Sequence, residues 1–535
     1  MNKLMNTGPI MVLALLFVLA GIQVVQANED ERPGIEPRER YLLLDQRLIS
    51  TVANAALKQG IVKKHPANPV FRDELPWEVN GSHMFPSVVF DPEENIYKCW
   101  YYSWYNGTDE QKAIKDDLKP GPEAPEHVSE SSITELAFLY ATSKDGINWE
   151  KPRFKQYLHK GEPTNIVFFA GDGVGVYRDP YDPDPSRRYK AIGALQGAKR
   201  IFTSCSSDGI HWSKEHDTKV NVSADGHNNV FWDPIAKQYV GISRVFSYGV
   251  CGYDIDNYKS IPWLSGFVVG QRVVARSTSK DFVEWSPPEI VFEYGHTRRQ
   301  IYSMPSFYTH GVFLGLPMIY DTSQSYAKVL KEEKLNTPDL KAELKDAGKS
   351  CRIWPGLAWS PDSKDWNWVD QRDKALIPLS RDTDSDEWGM IFAAYAPVIL
   401  DDEIRLYYSA QKLKHGNLHR GWMGLATLRV DGWAGYEPKD DSKEGFVETQ
   451  PILCDGQTLL LAADYDTRFI DSAVTVTVKD TEGKVLGTGK LRNGSKPYAS
   501  VEWKNEFNLS DHKGKNIRLR FTINHAKLYS FKFNK

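Results

Sequence analysis

The segment Phe202-Thr-Ser-Cys-Ser-Ser-Asp-Gly-Ile-His-Trp212 reads as the end of a β-strand, a tight turn and a tryptophan. Asp-Gly is a hairpin signal, because glycine adopts positive φ at little steric cost. The same text occurs at Tyr140-Ala-Thr-Ser-Lys-Asp-Gly-Ile-Asn-Trp149 and at Ala275-Arg-Ser-Thr-Ser-Lys-Asp-Phe-Val-Glu-Trp285. A weaker copy is Trp359-Ser-Pro-Asp-Ser-Lys-Asp-Trp-Asn-Trp368, and a fifth is Ala426-Thr-Leu-Arg-Val-Asp-Gly-Trp433. A second pattern alternates with the first: an apolar strand, a turn, then a Tyr- or Phe-bearing strand. It appears at Val88–Asp91 to Tyr97, Val176–Asp179 to Tyr189, Val230–Asp233 to Tyr239, Pro305–Tyr308 to Phe313 and Pro397–Asp401 to Tyr407-Tyr408.

Two hairpins per unit give four strands, and five units follow one another. Repeated four-stranded units predict a β-propeller, whose radial closure leaves only short, protected edges. The expected fold class is therefore all-β, a five-bladed β-propeller over 76–438, preceded by a lead-in segment over 28–75. Beyond it, Ser472-Ala-Val-Thr-Val-Thr-Val-Lys479 and Ile517-Arg-Leu-Arg-Phe-Thr-Ile523 alternate apolar and polar residues. That pattern predicts a C-terminal β-sandwich over 445–535. Two insertions interrupt the ring at 109–134 and 323–349; the second, with Tyr326-Ala-Lys-Val-Leu-Lys-Glu-Glu-Lys334, reads as helical.

Residues 1–27 carry a Lys3 start, an apolar run from Ile10 to Ala20 and a Val25-Gln-Ala27 cleavage signal, which together read as a secretory signal peptide. The mature protein is expected to be secreted or periplasmic, with no integral membrane span. Across 535 residues, 66 basic and 70 acidic side chains give a net charge of −4, which argues against nucleic acid as a partner. An aromatic content of 12% argues against disorder. The five cysteines contain no CxxC pair, so no zinc motif is read and at most two disulfides are expected. Phosphate-loop, nucleophile-elbow and zincin motifs are missing from the sequence. Asp179, Asp182 and Asp184 have a calcium-like spacing, but prolines interrupt it and the run reads as a loop.

Tyr41-Leu-Leu-Leu-Asp45, His65-Pro-Ala-Asn-Pro69, Pro76-Trp-Glu78, Arg187-Arg-Tyr-Lys190, Gly389-Met-Ile391, Tyr407-Tyr408 and Leu528-Tyr-Ser-Phe531 are similar to bacterial proteins of glycoside hydrolase family 32-like type. The chain thus resembles family 32 and the wider furanosidase group that includes family 43. The resemblance implies a propeller-plus-sandwich fold, a carbohydrate substrate and three carboxylates on the inner strands of the first three blades. It also admits a structural calcium at a channel histidine; no other cofactor is implied. The family's Asn-Asp-Pro-Asn nucleophile motif is missing. Arg178-Asp179-Pro180 matches the stabiliser motif, but Asp179 recurs as Asp91, Asp233 and Asp401 and reads as a turn former.

Counting back from those turns gives the start of each inner strand, where side chains meet the channel mouth. Glu78, His83, Asp172, Asp225, His227, Asn228, Arg298, Arg299, Tyr302 and Glu387 fall there. Glycosidic cleavage needs a carboxylic acid to protonate the leaving oxygen and a carboxylate to attack or to activate water. Asp225 stands at the third-blade position where the resemblance places the acid. Glu387 or Asp172 is then the base or nucleophile. Glu78, His83, His227, Asn228, Tyr302, Trp388 and His415 are expected substrate contacts, and Arg298 and Arg299 suit an anionic group. Trp77, Tyr302, Trp388 and Tyr395 are the aromatics expected to stack on sugar. The leading expectation is a glycoside hydrolase. Its rivals are a non-catalytic glycan-binding or scaffold propeller and a glycoside phosphorylase.

Overall fold

The computed structural model describes residues 36–79, 85–169, 171–195, 200–222, 226–248, 270–295, 299–321, 351–415, 421–492 and 497–535. The signal segment, the 323–349 insertion, His83, Asp225, Arg298 and Cys251 lie outside the described residues. The fold is all-β, with a single α-helix, Asp109–Asp116, among the described residues. A reciprocal capping box between Thr108 and Gln111 starts that helix.

Four antiparallel four-stranded sheets follow the sequence. The first is Ser87–Asp91, Ile96–Trp104, Leu136–Ser143 and Ile166–Phe169. The second is Asp172–Arg178, Tyr189–Ala194, Arg200–Ser206 and His216–Asn221. The third is Asn229–Asp233, Gln238–Tyr248, Gly270–Ser279 and Glu289–Phe292. The fourth is Ser306–Thr309, Val312–Gly315, Ala358–Ser360 and Asn367–Trp368. A longer sheet then pairs both Met390–Ala393 and Val398–Ile399 with Glu403–Gln411, followed by Trp422–Arg429. It is extended by Arg299–Ile301, Met318–Asp321 and Arg352–Pro355 through a parallel bridge at Ile353 and Met390.

The first strands of sheets one to four touch in succession, and Val398–Ile399 packs on Ser87–Asp91. The outermost strand of the last sheet is Lys63–Lys64, which precedes the first sheet in sequence. The lead-in thus closes one end of the arrangement onto the other, and an isolated bridge between Phe71 and Met423 continues the contact.

The Asp-turn repeat has one physical form in four sheets. Ser143 donates to Asp145 at 3.0 Å, and Asp145 accepts the backbone N–H groups of Ile147 and Asn148, each at 2.8 Å. Ser206 and Asp208 repeat this at 3.0, 2.8 and 2.8 Å, and Ser279 and Asp281 at 3.0, 2.8 and 2.9 Å. Ser360 and Asp362 do so at 3.1, 2.8 and 2.9 Å, which makes Trp366 rather than Trp368 the tryptophan in register. The residue after each Asp is left-handed: Gly146, Gly209, Phe282 and Ser363, with φ of 73, 81, 67 and 64°. The fifth copy departs from the pattern. Asp431 instead accepts from Arg40, Tyr498 and Ser530, tying the turn to the C-terminal strands.

These turns key neighbouring sheets together. Tyr407 donates to Gly146 O at 2.8 Å, Trp100 Nε1 to Gly209 O at 2.7 Å, Thr203 to Phe282 O at 3.3 Å and Arg276 Nε to Ser363 Oγ at 3.0 Å. Each donor lies on the sheet preceding the turn it meets. The inner turns link the other way, with Tyr189 donating to Asp91 and Tyr239 to Asp179 at 2.7 Å. Asp179 also holds Lys190 at 3.0 Å and the Tyr181 N–H at 2.8 Å, so its carboxylate serves turn and seam. Asp182 and Asp184 are taken up by Lys190, Arg187 and the Ser186 N–H.

The C-terminal residues form two further sheets, of six and seven strands, which share one core that includes Val474, Val476, Val478, Leu519, Phe521 and Phe531. Ala473–Lys479 and Asn516–Asn524 bury alternate residues, as their sequence alternation requires. Tyr41–Leu42, Ile49–Ala53 and Ala55–Gln59 of the lead-in add strands to these sheets. Cys99, Cys205 and Cys454 are free thiols.

The keyed turns make a specific demand on glycine. At Gly209 the left-handed backbone coincides with the Trp100 ring, into which a Cβ would drive. Gly161, with φ of 87°, has open space at the same point. Gly161→Ala is expected to cost about 1–2 kcal/mol from backbone strain alone. Gly209→Ala adds overpacking of about 1–3 kcal/mol. Equilibrium denaturation of the two variants should separate them by that difference; equal losses would remove the sheet-to-sheet key.

Candidate functional site

Asp172 opens the first strand of sheet two, and two glycines bring that strand against sheet three. A Cβ at Gly173 (φ 61°) would strike the Gly226 carbonyl, and one at Gly175 would enter the Tyr395 ring. Asn228 seals the contact, its backbone N–H donating to Gly173 O at 2.7 Å and its Nδ2 to the same oxygen at 3.1 Å. The Asp172 side chain is half-buried at this contact. Burial raises its pKa to about 6, against an opposing pull from the Arg244 guanidinium. The Tyr102 hydroxyl, also buried and also facing Asp172, is pushed well above its ordinary value.

Arg244 lies on Gln238–Tyr248 and Arg272 on Gly270–Ser279. The register pairs Arg244 with Val274 and Phe246 with Arg272, so both arginines project from one face as diagonal neighbours. The Arg244 guanidinium stands 5.0 Å from the Tyr302 ring centre, and that of Arg272 stands 4.7 Å from Tyr320 and 6.0 Å from Tyr302. Gln300 fixes Arg272 through a 2.9 Å bond from Nη1. His415 spans the two phenols, with Nε2 3.4 Å from the Tyr302 hydroxyl and Nδ1 3.3 Å from that of Tyr320.

His227 is 2% exposed and lies between the Phe85 and Tyr395 rings, with centroids at 5.2 and 5.8 Å. Burial lowers its pKa to about 3, so the imidazole is neutral. Both of its ring nitrogens lack a hydrogen-bond partner among the described residues.

Of the residues singled out in the sequence, Asp172, His227, Asn228, Tyr302 and His415 thus fall into one connected cluster. Others have different surroundings. Glu387 accepts from Lys64 at 2.6 Å and from Tyr408 at 2.6 Å, and shares no partner with Asp172. Glu78 is buried and accepts the N–H groups of Glu74 and Leu75, the Tyr101 hydroxyl at 2.5 Å and Lys151 at 2.8 Å. Arg299 pairs with Asp321 and Asp373 and stacks on Trp354. Trp388 is flanked by Arg352 and Lys414, next to His415. Trp77 is buried, with its indole N–H on Asn165 at 2.8 Å, and the buried Tyr395 donates to Val230 O.

Arg244 and Arg272 escaped the sequence reading, although the alternation Val240, Ile242, Arg244, Phe246 puts Arg244 in phase with buried neighbours. Two open pockets, of about 620 Å³ beside Trp359 and Trp368 and about 570 Å³ beside Arg187 and Trp212, contain none of the clustered residues. No group of three or more metal-ligating side chains occurs among the described residues.

No family model and no curated protein matches the chain. Among solved structures, it is similar to a GH32 β-fructofuranosidase from Bombyx mori, with 11% identity over 88% of this chain and 95% of that one, at a TM-score of 0.38. It is also similar to a β-1,2-mannobiose phosphorylase from Listeria innocua, with 11% identity over 69% and 97% at 0.39. A family 43 arabinoxylan arabinofuranohydrolase from Bacillus subtilis has 9% identity over 88% and 99% at 0.35. Likeness at this level leaves function to be argued from the residues themselves.

The raised Asp172 pKa has a thermodynamic sign. A carboxyl whose pKa is higher folded than unfolded binds its proton more tightly in the native state, so stability falls as pH rises from about 4 through 6. Asp172→Asn should therefore raise the melting temperature at pH 8 and do so less at pH 4.5. An equal shift at both values would mean that Asp172 titrates normally.

Proposed function

We propose that this chain is a carbohydrate-active enzyme that cleaves glycosidic bonds, with Asp172 as its general acid. The observation that carries the reading is a half-buried carboxyl whose pKa burial raises to about 6, set beside Arg244, which in turn faces Tyr302. A group with that pKa is about half protonated near pH 6 and is matched to donating a proton to a departing sugar oxygen in mildly acidic solution. The partly exposed imidazole of His415 is the polar group in the cluster open to a ligand, while Tyr302 and Tyr320 are buried behind it.

On this reading the sheets form a five-bladed β-propeller over 76–438, with a β-sandwich over 445–535. The successive contact of first strands and the closure by Lys63–Lys64 support the first part. The core shared by the two C-terminal sheets supports the second. The leader over 1–27 would route the protein to the periplasm or beyond the cell. The second carboxylate that cleavage requires is assigned to Asp225, on the sequence alone. Asp172 then takes the acid role and Asp225 that of base or nucleophile, the reverse of the first assignment. Glu387 becomes a bracing residue, because Lys64 and Tyr408 already claim both of its oxygens.

The test is cleavage of a panel of oligosaccharides and polysaccharides by three proteins. Asp172→Asn should lower kcat by about 10³-fold or more with the circular dichroism spectrum unchanged, since proton transfer contributes about 10²–10⁴-fold and electrostatics add to it. Glu387→Gln should lower stability and leave kcat within a few-fold. Full activity in Asp172→Asn would refute the assignment. Glycan binding by the wild type without any cleavage would instead favour a binding propeller.

A further inference from the structure

The two open clefts outside the Asp172 cluster differ in how their polar groups are used. In the one beside Arg187 and Trp212, those groups are committed to the protein. His211 Nδ1 meets Asp208 at 2.8 Å, Ser206 takes the Gly209 N–H at 2.8 Å, Ser213 takes the Cys205 N–H at 3.1 Å and Arg187 Nε meets Asp182 at 2.9 Å. Trp212 itself is buried. The cleft of about 620 Å³ is built otherwise. One wall is Asn367–Trp368, the edge strand of sheet four. The other wall is Gln46, Arg47 and Leu57 of the lead-in. Leu57 belongs to Ala55–Gln59, which pairs with Ala434–Pro438 in the six-stranded C-terminal sheet. The cleft therefore lies where sheet four meets the C-terminal sheets.

Its groups are held firmly. Trp368 is half-buried and fixed by the rings of Phe292 and Tyr294 at 5.0 and 5.5 Å. Arg47 is 39% exposed, yet Asp45 holds Nε at 2.9 Å and Nη2 at 2.8 Å, while Gly311 O and Pro361 O accept from Nη2 and Nη1 at 2.8 and 3.3 Å. These bonds use four of the five guanidinium N–H groups and leave one on Nη1. Asn367 is exposed, and its amide comes no nearer to a partner than 3.5 Å, at Asp365 O. Both charges at the cleft are already matched: Arg47 by Asp45, and Asp370 by Lys58 at 3.0 Å and Lys374 at 2.7 Å. A ligand here meets an indole, planar donors and acceptors, and no charge left to neutralise.

We propose that this cleft is an accessory binding site for a neutral sugar ring, distinct from the Asp172 centre. The choice of a sugar over another neutral polyol rests on the glycosidic reading above. A pyranose offers an apolar C–H face to the part of the indole that borders the cleft, and adjacent hydroxyls to the Asn367 amide, which both donates and accepts, and to Arg47 Nη1. The volume falls within the roughly 300–1,000 Å³ usual for small-ligand clefts. For a polymeric substrate, a second point of attachment on the same chain raises the effective concentration of its other residues at the Asp172 centre.

The experiment is calorimetric titration of the full-length Asp172→Asn protein, in which cleavage is suppressed, with neutral cello-, xylo-, manno- and arabino-oligosaccharides. At least one should bind. Adding Asn367→Ala should weaken that binding about 5-fold, the loss expected of one neutral hydrogen bond, with the unliganded melting temperature unchanged. Adding Trp368→Phe, which keeps a ring in the packing, should weaken it about 3-fold; should that variant fail to fold, Asn367→Ala carries the test. Binding by none of the probes, or binding that neither substitution changes, overturns the accessory site, even where the protein with Asp172 intact cleaves saccharides. Binding that depends on Asn367, with no saccharide cleaved by the protein with Asp172 intact, upholds the site and overturns the glycosidic reading.

Discussion

The structure depends on one recurring contact: a left-handed turn residue whose backbone or side-chain oxygen accepts a hydrogen bond from the preceding sheet. A four-stranded sheet cannot bury both of its faces alone, so neighbouring sheets must be fixed at a set angle and height. The Ser-x-Asp turn does this by consuming its own backbone donors internally, which leaves an acceptor pointing outward at Gly146, Gly209, Phe282 or Ser363. Tyr407, Trp100, Thr203 and Arg276 read those acceptors in order. Two of the positions are not glycine, and Phe282 and Ser363 bear the backbone strain that glycine would avoid.

That keyed arrangement fixes where the first strands begin. Asp172 is half-buried where Gly173 and Gly175 let sheet two close against Gly226, Asn228 and Tyr395. His227 is buried against the same Tyr395 ring. Desolvation disfavours the charged forms of Asp172, His227 and Arg244. Asp172 moves up to about 6, His227 down to about 3 and Arg244 down to about 10. One environment thus produces a carboxyl that holds its proton more tightly than usual and a neutral imidazole.

The repeat was legible in the sequence because it is local: serine, aspartate and glycine at fixed offsets determine the turn without help from distant residues. The alternation in the C-terminal strands was legible for the same reason. Counting back from the turns found strand starts, and so found Asp172, His227 and Asn228. It could not tell which way a side chain faces. Glu78 and Glu387 lie near strand starts, yet their carboxylates point at Lys151 and Lys64, partners 73 and 323 residues away in sequence. Lys63–Lys64 as a closing strand was hidden likewise, since two residues carry no periodic signal. Arg244 was overlooked because a charged residue in an apolar strand reads as an edge or surface position until its phase with Val240 and Ile242 is counted. Fifth-copy Asp431 resembles the other turns in text only, its side chain having been recruited to Arg40, Tyr498 and Ser530.

The central claim is that this fold holds one carboxyl, at the junction of its second and third sheets, that titrates near pH 6. It is tested most directly by an infrared difference titration of the wild type against Asp172→Asn, following the carboxyl stretch. The account predicts that the band lost in the variant disappears in the wild type with a midpoint near pH 6. A midpoint near pH 4, the ordinary aspartate range, would contradict it.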